Sequence, residues 1–285
     1  MIRNTVAQRK TPRRVPEESR APGAVLHSHH AQSIGRVVGS RKNTTRPPRA
    51  AGDRGGLWLY GAHAVLAALA NPNREITRLV VTSEAAKRHV GELRRAAETV
   101  EGVRLASMLP SGAVHQGIAA LAKPLADLHI EDCKPDTARC VVLVLDQVSD
   151  PRNVGAILRS AAAFGAKAVV VPAHHSPPES GALAKAASGA LEQVPFIRVP
   201  NLARGLEQLA DQGYWRVALT ADGPTTLNAS KHTGHVALVL GGEGAGLRRL
   251  TAERCDTNER LPTKNGASLN VSVAASIALY EFARQ

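Results

Sequence analysis

Two polar side chains, Ser268 and Asn270, stand at the start of the apolar C-terminal segment "SLNVSVAASIALYEFARQ" (268–285). Either could cap a helix, and the unpaired N–H groups of a helix start can bind a ligand carboxylate or phosphate. Because this helix is apolar on nearly all sides, we expect it to be buried. The run "RLPT" (260–263) is predicted to be a short strand that ends at Pro262. Ordinary helix capping would also explain the two polar residues.

A glycine-rich loop, "LGGEGAGL" (240–247), follows an apolar strand and carries Glu243 as its only charge. Its glycines allow close backbone approach or a positive φ. The loop contains no GxGxxG and follows the fifth apolar run of its domain, which argues against a dinucleotide-binding fingerprint and a nucleotide-dependent oxidoreductase. It also lacks the GK[ST] of a phosphate-binding P-loop. Taken alone, the loop could equally be a tight strand-to-helix turn that carries a solvated glutamate.

The third polar stretch is "DPRNVGAILRSAAAFGA" (150–166). Asp150 and Pro151 are typical of a helix start, which places Asn153 in the first turn and Arg159 nearly two turns later. The small residues around Arg159, such as Gly155 and Ala161, would pack on the sheet. Burying an arginine beside them is costly unless its charge has a partner. A surface arginine and a capping asparagine would explain this stretch when it is considered alone.

The elements that must position these stretches are continuous Val, Leu and Ile runs separated by helical patterns. Strands with no polar alternation that alternate with helices indicate an α/β fold with a parallel sheet buried on both faces. Such folds place their chemistry in loops beyond the carboxyl ends of the strands. The predicted strands are 140–148, 166–173, 194–199, 214–221 and 235–242, and the predicted helices are 153–164, 181–192 and 201–211.

A smaller α/β unit is expected before this domain. The predicted boundaries are a basic tail at 1–55, a small domain at 56–123, a linker at 124–139 and a larger domain at 140–285. Within the small domain the sequence predicts an ordered start at "LWLYGAHAVLAAL", strands at 76–83 and 103–108, a helix at 84–100 and a sheet-closing run at 114–122.

Charge is concentrated in the tail. The chain has 285 residues and a net charge of +12, and residues 1–54 hold 12 Lys and Arg against 3 acidic residues. The tail is rich in Arg, Pro, Ser and Gly without an apolar period, so we expect it to be disordered. Three roles stay open for it: an electrostatic arm on a phosphate backbone, an organelle targeting leader or an inert extension.

Cysteine and histidine usage argues against a metal site or a disulfide framework. The three cysteines, Cys133, Cys140 and Cys255, have no CxxC or Cys/His spacing, which fits a reducing cytoplasm. His174 and His175 have no acidic partners at ligand spacing, and nothing around His115 indicates a catalytic role. No segment has the length of a membrane span or the pattern of a secretory signal.

The three stretches together, in this order, resemble the three motifs of the SpoU (TrmH-type) branch of the SPOUT RNA methyltransferases. Further matches at "LYGAHAVLAAL", "GAVHQGI" and "KAASGALEQVPFIRVPNLARGLEQL" resemble the bacterial RlmB group, which methylates a guanosine ribose 2′-oxygen in large-subunit rRNA. The resemblance covers roughly residues 57–285. It implies a C-terminal domain with a deep trefoil knot that binds S-adenosylmethionine, an L30e-like RNA-binding domain before it, and a homodimer. A tRNA ribose methyltransferase and a non-catalytic rRNA-binding assembly factor of the same fold are the alternatives.

The resemblance also implies site residues. The cofactor-binding residues would be Thr220, Ala221, Leu240, Gly241, Gly242, Glu243, Leu261, Pro262, Ser268 and Leu269. The catalytic residues would be Asn153, Arg159, Glu243, Ser268 and Asn270.

The reaction implied by the resemblance, methyl transfer to a ribose hydroxyl, suggests a role for each catalytic side chain. A guanidinium does not deprotonate in ordinary circumstances, so Arg159 is expected to hold a phosphate and stabilise the developing alkoxide. Asn153 and Asn270 would orient Arg159 and the ribose through hydrogen bonds, and Glu243 would fix the guanidinium or its own loop. The proton would leave to phosphate or water.

Overall fold

The computed structural model describes residues 56–244, 246–264 and 267–285. The predicted tail at 1–55 lies outside these residues. The described residues belong to one compact unit, and they contain two sheets. We call residues 56–122 the N-lobe and residues 141–285 the C-lobe. Between the lobes, residues 123–140 are irregular apart from one 3₁₀ turn at Ile130–Cys133.

The N-lobe is a four-stranded sheet in the order β1-β4-β2-β3, in which β4 runs antiparallel to β1 and β2 while β3 runs parallel to β2. Its elements are β1 (Leu57–Tyr60), α1 (Ala62–Ala70), β2 (Ile76–Val81), α2 (Ser83–Arg88), β3 (Glu98–Thr99), α3 (Gly102–Ser107) and β4 (Ile118–Ala122).

Two N-lobe predictions were wrong. The helix expected at 84–100 ends at Arg88, and the chain then passes through turns to β3. The strand expected at 103–108 is the helix α3, in which Leu105 is fully buried and Val103 is 86% exposed. A strand would direct Val103 and Leu105 to the same face, but a run of six residues is too short for its period to separate helix from strand.

The C-lobe is a seven-stranded sheet in the order β7-β6-β5-β10-β8-β11-β9, and every pairing in it is parallel. Its elements are β5 (Val141–Asp146), α4 (Pro151–Ala163), β6 (Ala168–Pro172), α5 (Gly181–Ala187), β7 (Phe196–Val199), α6 (Leu202–Asp211), β8 (Tyr214–Leu219), β9 (Thr225–Thr226), β10 (His235–Gly241), α7 (Arg249–Glu253), β11 (Thr257–Arg260) and α8 (Val271–Ala283).

The prediction of an α/β fold with a parallel sheet is confirmed, and each of the five predicted C-lobe strands contains an observed one. Alternate residues of the central strand β5 enter different core clusters. Leu143 and Leu145 join the cluster that also contains α4, α5 and α8, whereas Val142 and Val144 join the cluster that contains α6. Both faces of the sheet are therefore covered, as its continuous apolar strands require.

The C-terminal part of the chain differs from the prediction in two places. The strand expected at 260–263 is β11, which ends at Arg260, so Pro262 follows it in the loop. The prediction that α8 is buried holds for one face of the helix, which lies in the core. Val273, Ile277 and Tyr280 are 46%, 38% and 52% exposed, and their spacing places them on another face of the helix.

Candidate active site

A cavity of about 640 Å³ opens at the carboxyl ends of β8, β10 and β11, beside the start of α8. Parallel strands bring their carboxyl ends to one edge of the sheet, which is why three loops distant in sequence meet there. Of the ten residues predicted to bind the cofactor, only Pro262 is absent from the lining. The other nine are Thr220, Ala221, Leu240, Gly241, Gly242, Glu243, Leu261, Ser268 and Leu269.

Glycine is required in one wall of this cavity because backbone segments approach closely there. A Cβ on Gly241 would lie 2.2 Å from the carbonyl carbon of Gly246, and one on Gly242 would lie 2.3 Å from the carbonyl oxygen of Gln147. Real Cβ atoms do not come so close to other atoms, so a side chain at either position would displace the neighbouring backbone. This wall therefore presents backbone N–H and C=O groups. Such groups can bind a flat polar ligand through its edges.

An ion pair between the buried Asp146 and the partly exposed Arg248 fixes the same loop. Asp146, the last residue of β5, is fully buried and accepts hydrogen bonds from the backbone N–H of Arg248 (2.9 Å) and from its Nε (2.7 Å). These bonds close the loop that begins at Gly241. Sequence reasoning missed Asp146, although a single carboxylate at the end of an otherwise apolar strand is a usable signal, since a buried charge needs a partner.

Two polar lining residues were also missed. Asn258 in β11 accepts a 2.8 Å hydrogen bond from Thr220 Oγ1 on the neighbouring strand end. Asp222 lies in the same loop as Thr220 and lines the cavity. Among the described lining residues, Asp222 and Glu243 are the only ionisable side chains, so the cavity has a negative character suited to a cationic ligand.

Three of the five predicted catalytic residues form one hydrogen-bonded cluster, in which Glu243 lines the cavity and Asn153 and Asn270 do not. Glu243 Oε1 accepts from Asn153 Nδ2 at 3.0 Å and from Asn270 Nδ2 at 2.7 Å. The Asn270 amide also donates to Asn153 Oδ1 at 3.1 Å, while its own Oδ1 caps α8 by accepting from the Ser272 N–H at 2.9 Å. The cluster thus ties the starts of α4 and α8 to the glycine loop. We call it the amide–carboxylate cluster.

Helix α4 begins as the sequence indicates. Asp150 is its N-cap and accepts a 2.8 Å bond from the Arg152 N–H, with Pro151 in the first turn. This backbone hydrogen bond holds the pKa of the Asp150 carboxyl below its usual range. The cap fixes where α4 starts, and therefore where Asn153 lies relative to Glu243.

Arg159 and Ser268 stand apart from the cluster. Arg159 is exposed on α4 and has no hydrogen bond or ion pair with any described residue. Six residues of α-helix turn through about 600°, so Arg159 points roughly 120° away from Asn153 around the helix axis. Glu243 therefore holds the two asparagines and not the guanidinium. Ser268 is exposed and lines the cavity.

The histidines are not part of this site. His115 Nδ1 accepts a 3.1 Å bond from the Gly117 N–H in the N-lobe. His174 and His175 lie in a neighbouring pocket beyond β6. Across the described residues, no group of three or more His, Cys, Asp or Glu side chains could hold a metal ion, and no helix is long and apolar enough to cross a membrane.

Comparisons with known proteins agree on one family. Residues 140–280 match the SpoU rRNA methylase family, and residues 58–128 match the substrate-binding domain of RNA 2′-O-ribose methyltransferases. The chain is similar to the 23S rRNA (guanosine-2′-O-)-methyltransferase RlmB of Vibrio vulnificus, with 40% identity over 80% of this chain and 96% of that protein. Similarity to the protein of the same name from Escherichia coli K12 is 41%, over 80% of this chain and 98% of that one.

The fold is also that of a solved structure, the SpoU methyltransferase AviRb from Streptomyces viridochromogenes in complex with AdoMet. The TM-score is 0.68 over 82% of this chain and 93% of that one, at 23% identity. With both lobes matched and relatives at about 40% identity, this chain belongs to the SpoU family of RNA ribose methyltransferases.

Proposed function

We propose that this chain is an S-adenosylmethionine-dependent methyltransferase that modifies the ribose 2′-oxygen of a guanosine in 23S rRNA. The observation that carries the proposal is the cavity at the carboxyl edge of the C-lobe sheet, whose glycine loop is bonded to two asparagines through Glu243. The proposed substrate is that of the two relatives named above. This chain matches nearly the whole length of each of them.

The cavity fits S-adenosylmethionine. Its volume is within the range of small-molecule sites, about 300–1,000 Å³. Leu240, Leu261 and Leu269 give it apolar walls that suit an adenine ring, and the backbone at Gly241 and Gly242 offers hydrogen-bonding groups. Asp222 and Glu243 are the carboxylates that would face the positive charges of this ligand.

The chain's own residues have to orient and activate a ribose hydroxyl. When bound, S-adenosylmethionine supplies an electrophilic methyl group on a sulfonium. The amide–carboxylate cluster holds the Asn153 and Asn270 side chains against Glu243, a residue of the cavity wall, where they would position the ribose. Arg159, whose guanidinium is free among the described residues, would hold the nucleotide phosphate and stabilise the developing alkoxide. Ser268 would complete the wall beside the ribose.

The reaction can be tested with S-adenosylmethionine and an unmodified 23S rRNA transcript. The product should contain one 2′-O-methylguanosine, detected as a phosphodiester that resists alkaline cleavage. Arg159→Lys should lower kcat by about 10²-fold, because a lysine cannot replace the guanidinium fork, whereas Arg249→Lys on α7 should have little effect. Methylation of tRNA but not of the 23S transcript would overturn the substrate. Near-full turnover by Arg159→Lys would overturn the role of its fork.

The lobes and the chain path form part of the same proposal. We assign residues 56–123 as an L30e-like RNA-binding domain, residues 124–139 as a linker and residues 140–285 as the methyltransferase domain. The family match at 58–128 supports the first assignment.

We also propose a deep trefoil knot, in which the segment that leads into α8 passes through the glycine loop. The fact that both segments line the same cavity supports this path. Because the proposed substrate is ribosomal RNA, we place the activity in the cytoplasm.

The exposed face of α8 supports a homodimer. Val273, Ile277 and Tyr280 form an apolar stripe on this helix, and Tyr280 stacks edge-on against Phe164 at 6.1 Å. Contiguous apolar surface of this kind is typical of an interface, and a second copy of the chain offers the same stripe. Ile277→Glu should give a monomer by light scattering, whereas Val103→Glu, on a remote exposed apolar residue, should not. An unchanged molar mass for Ile277→Glu would exclude this face.

A further inference from the structure

A strained turn of the N-lobe reaches the C-lobe. It is "GAVHQGI" (112–118), the turn before β4. Gln116 has φ +55°, which is unusual for a residue with a side chain, and Gly117 follows at φ +81°. Backbone strain of this kind persists where the surroundings hold it in place, and it is concentrated at functional sites.

The Gln116 side chain joins both lobes. Its Oε1 accepts hydrogen bonds from the backbone N–H of Ala62, at the start of α1, and from Lys185 Nζ on α5 of the C-lobe, at 3.1 Å and 2.5 Å. Gly61 makes room for the lysine, because a Cβ at that position would lie 2.6 Å from Nζ. Three local features therefore fix one ammonium group: the strained Gln116, the side-chain-free Gly61 and the helix that carries Lys185.

This ammonium has no counter-ion among the described residues. Its only hydrogen-bond partner there is the neutral Gln116 amide, and the burial of Lys185 lowers its pKa. Arg74, another cation between the lobes, does have counter-ions, because it is bonded to the carboxylates of both Glu179 and Glu192. Lys185 thus presents a partly desolvated positive charge that an incoming anion would neutralise.

Lys185 is carried by α5, which packs directly on α4, the helix that carries Asn153. Helices α4 and α5 cross tightly at Gly155, where a Cβ would lie 2.4 Å from the Ala186 Cβ. Asn153 lies two residues before Gly155, and Lys185 precedes Ala186. Lys185 and Asn153 are thus on adjacent, packed helices of the C-lobe.

We propose that Lys185 and Gln116 form an anion site that binds a backbone phosphate of the substrate RNA. Lys185 supplies the charge, and Gln116 holds it in place. His115, whose Nδ1 accepts from the Gly117 N–H, has its Nε2–H available as a further donor. The site spans both lobes, so RNA bound there would contact the N-lobe and the C-lobe at once. The inference rests on the proposed function for its ligand.

Salt dependence of RNA binding tests this site directly. The probe is the unmodified 23S rRNA transcript, titrated with full-length protein between low and moderate salt. Lys185→Gln keeps a hydrogen-bonding side chain but removes the charge. It should weaken binding roughly fivefold at low salt and reduce the slope of log K against log[salt] by about 0.7–0.9, the loss of one phosphate contact. Lys185→Arg should keep the wild-type slope.

The matched control is Lys167→Gln. Lys167 precedes β6 at the opposite, amino edge of the sheet, and its charge is already paired with Asp136 at 2.6 Å. It should leave the salt slope unchanged. If Lys185→Gln lowers the thermal unfolding temperature and leaves the slope unchanged, Lys185 only joins the lobes and the phosphate site is refuted. A wild-type protein that binds the transcript without methylating it would overturn the proposed function and leave this test intact.

Discussion

The junction between the lobes depends on one buried arginine. Arg74 has no exposed side-chain surface, and its guanidinium contacts Glu179 at 2.5 Å and Glu192 at 2.7 Å. It also donates a 2.9 Å bond to the carbonyl of Lys123. Glu192 is almost as buried and accepts a further 2.8 Å bond from Asn71. Arg74→Met would remove the cation and leave both carboxylates in place.

The expected loss of stability follows from that burial. A buried ion pair is costly to break because the remaining charge is left without compensation, typically about 3–5 kcal/mol. For a folded region of this size, each 1 kcal/mol lost from the free energy of unfolding lowers the thermal unfolding midpoint by roughly 2–4 °C. The Arg74→Met midpoint should therefore fall by roughly 6–20 °C. Arg78→Met is the matched control, because its partner is Glu98 and both side chains are 39% exposed. An exposed pair contributes about 0–1 kcal/mol.

Urea unfolding of the two variants and the wild type measures the difference. Adding Glu192→Gln to Arg74→Met should recover part of the loss, because one uncompensated carboxylate is removed. The reasoning is refuted if Arg74→Met unfolds within about 0.5 kcal/mol of Arg78→Met, the range of ordinary surface substitutions. A large loss that the second substitution does not relieve would point to lost packing instead of lost charge.

Two further predictions concern the C-lobe. Asp146→Asn should weaken S-adenosylmethionine binding roughly tenfold by calorimetry, because it loosens the Arg248 bonds that close the glycine loop. Asp256→Asn, in the partly buried pair with Arg216 outside the cavity lining, should not, and equal affinities for the two variants would contradict the role of Asp146. Burial raises the pKa of Cys133 and Cys255 to about 12, so both thiols should stay protonated at pH 8 and react with iodoacetamide only after unfolding. Rapid alkylation of the native protein would show that they are accessible.

Much of the C-lobe could be predicted from the sequence because its signals are local. Uninterrupted apolar runs define buried parallel strands, and the Asp150–Pro151 pair marks the start of α4. The meeting of the three loops follows from the geometry of a parallel sheet, although the resemblance to a family was needed to connect their residues with a cofactor. The Glu243 bonds to two asparagines 90 and 27 positions away depend on tertiary packing, which no local pattern encodes.

The failures have the same physical origin. In α3 only Leu105 faces the core, so six residues carried no period that could distinguish a helix from a strand. Helix α8 is apolar around its circumference, yet one of its faces is exposed in a single chain. The Lys185–Gln116 contact joins residues 69 positions apart, and the polar partners that bind the lobes together follow no spacing rule.

Mapping of 2′-O-methylation on 23S rRNA tests the central claim most directly. Cells that lack this chain would be compared with cells that carry the wild type or Asn270→Ala, at single-nucleotide resolution. The account predicts one guanosine that is methylated with the wild type and unmethylated in the other two strains. An identical methylation map in all three strains would contradict it.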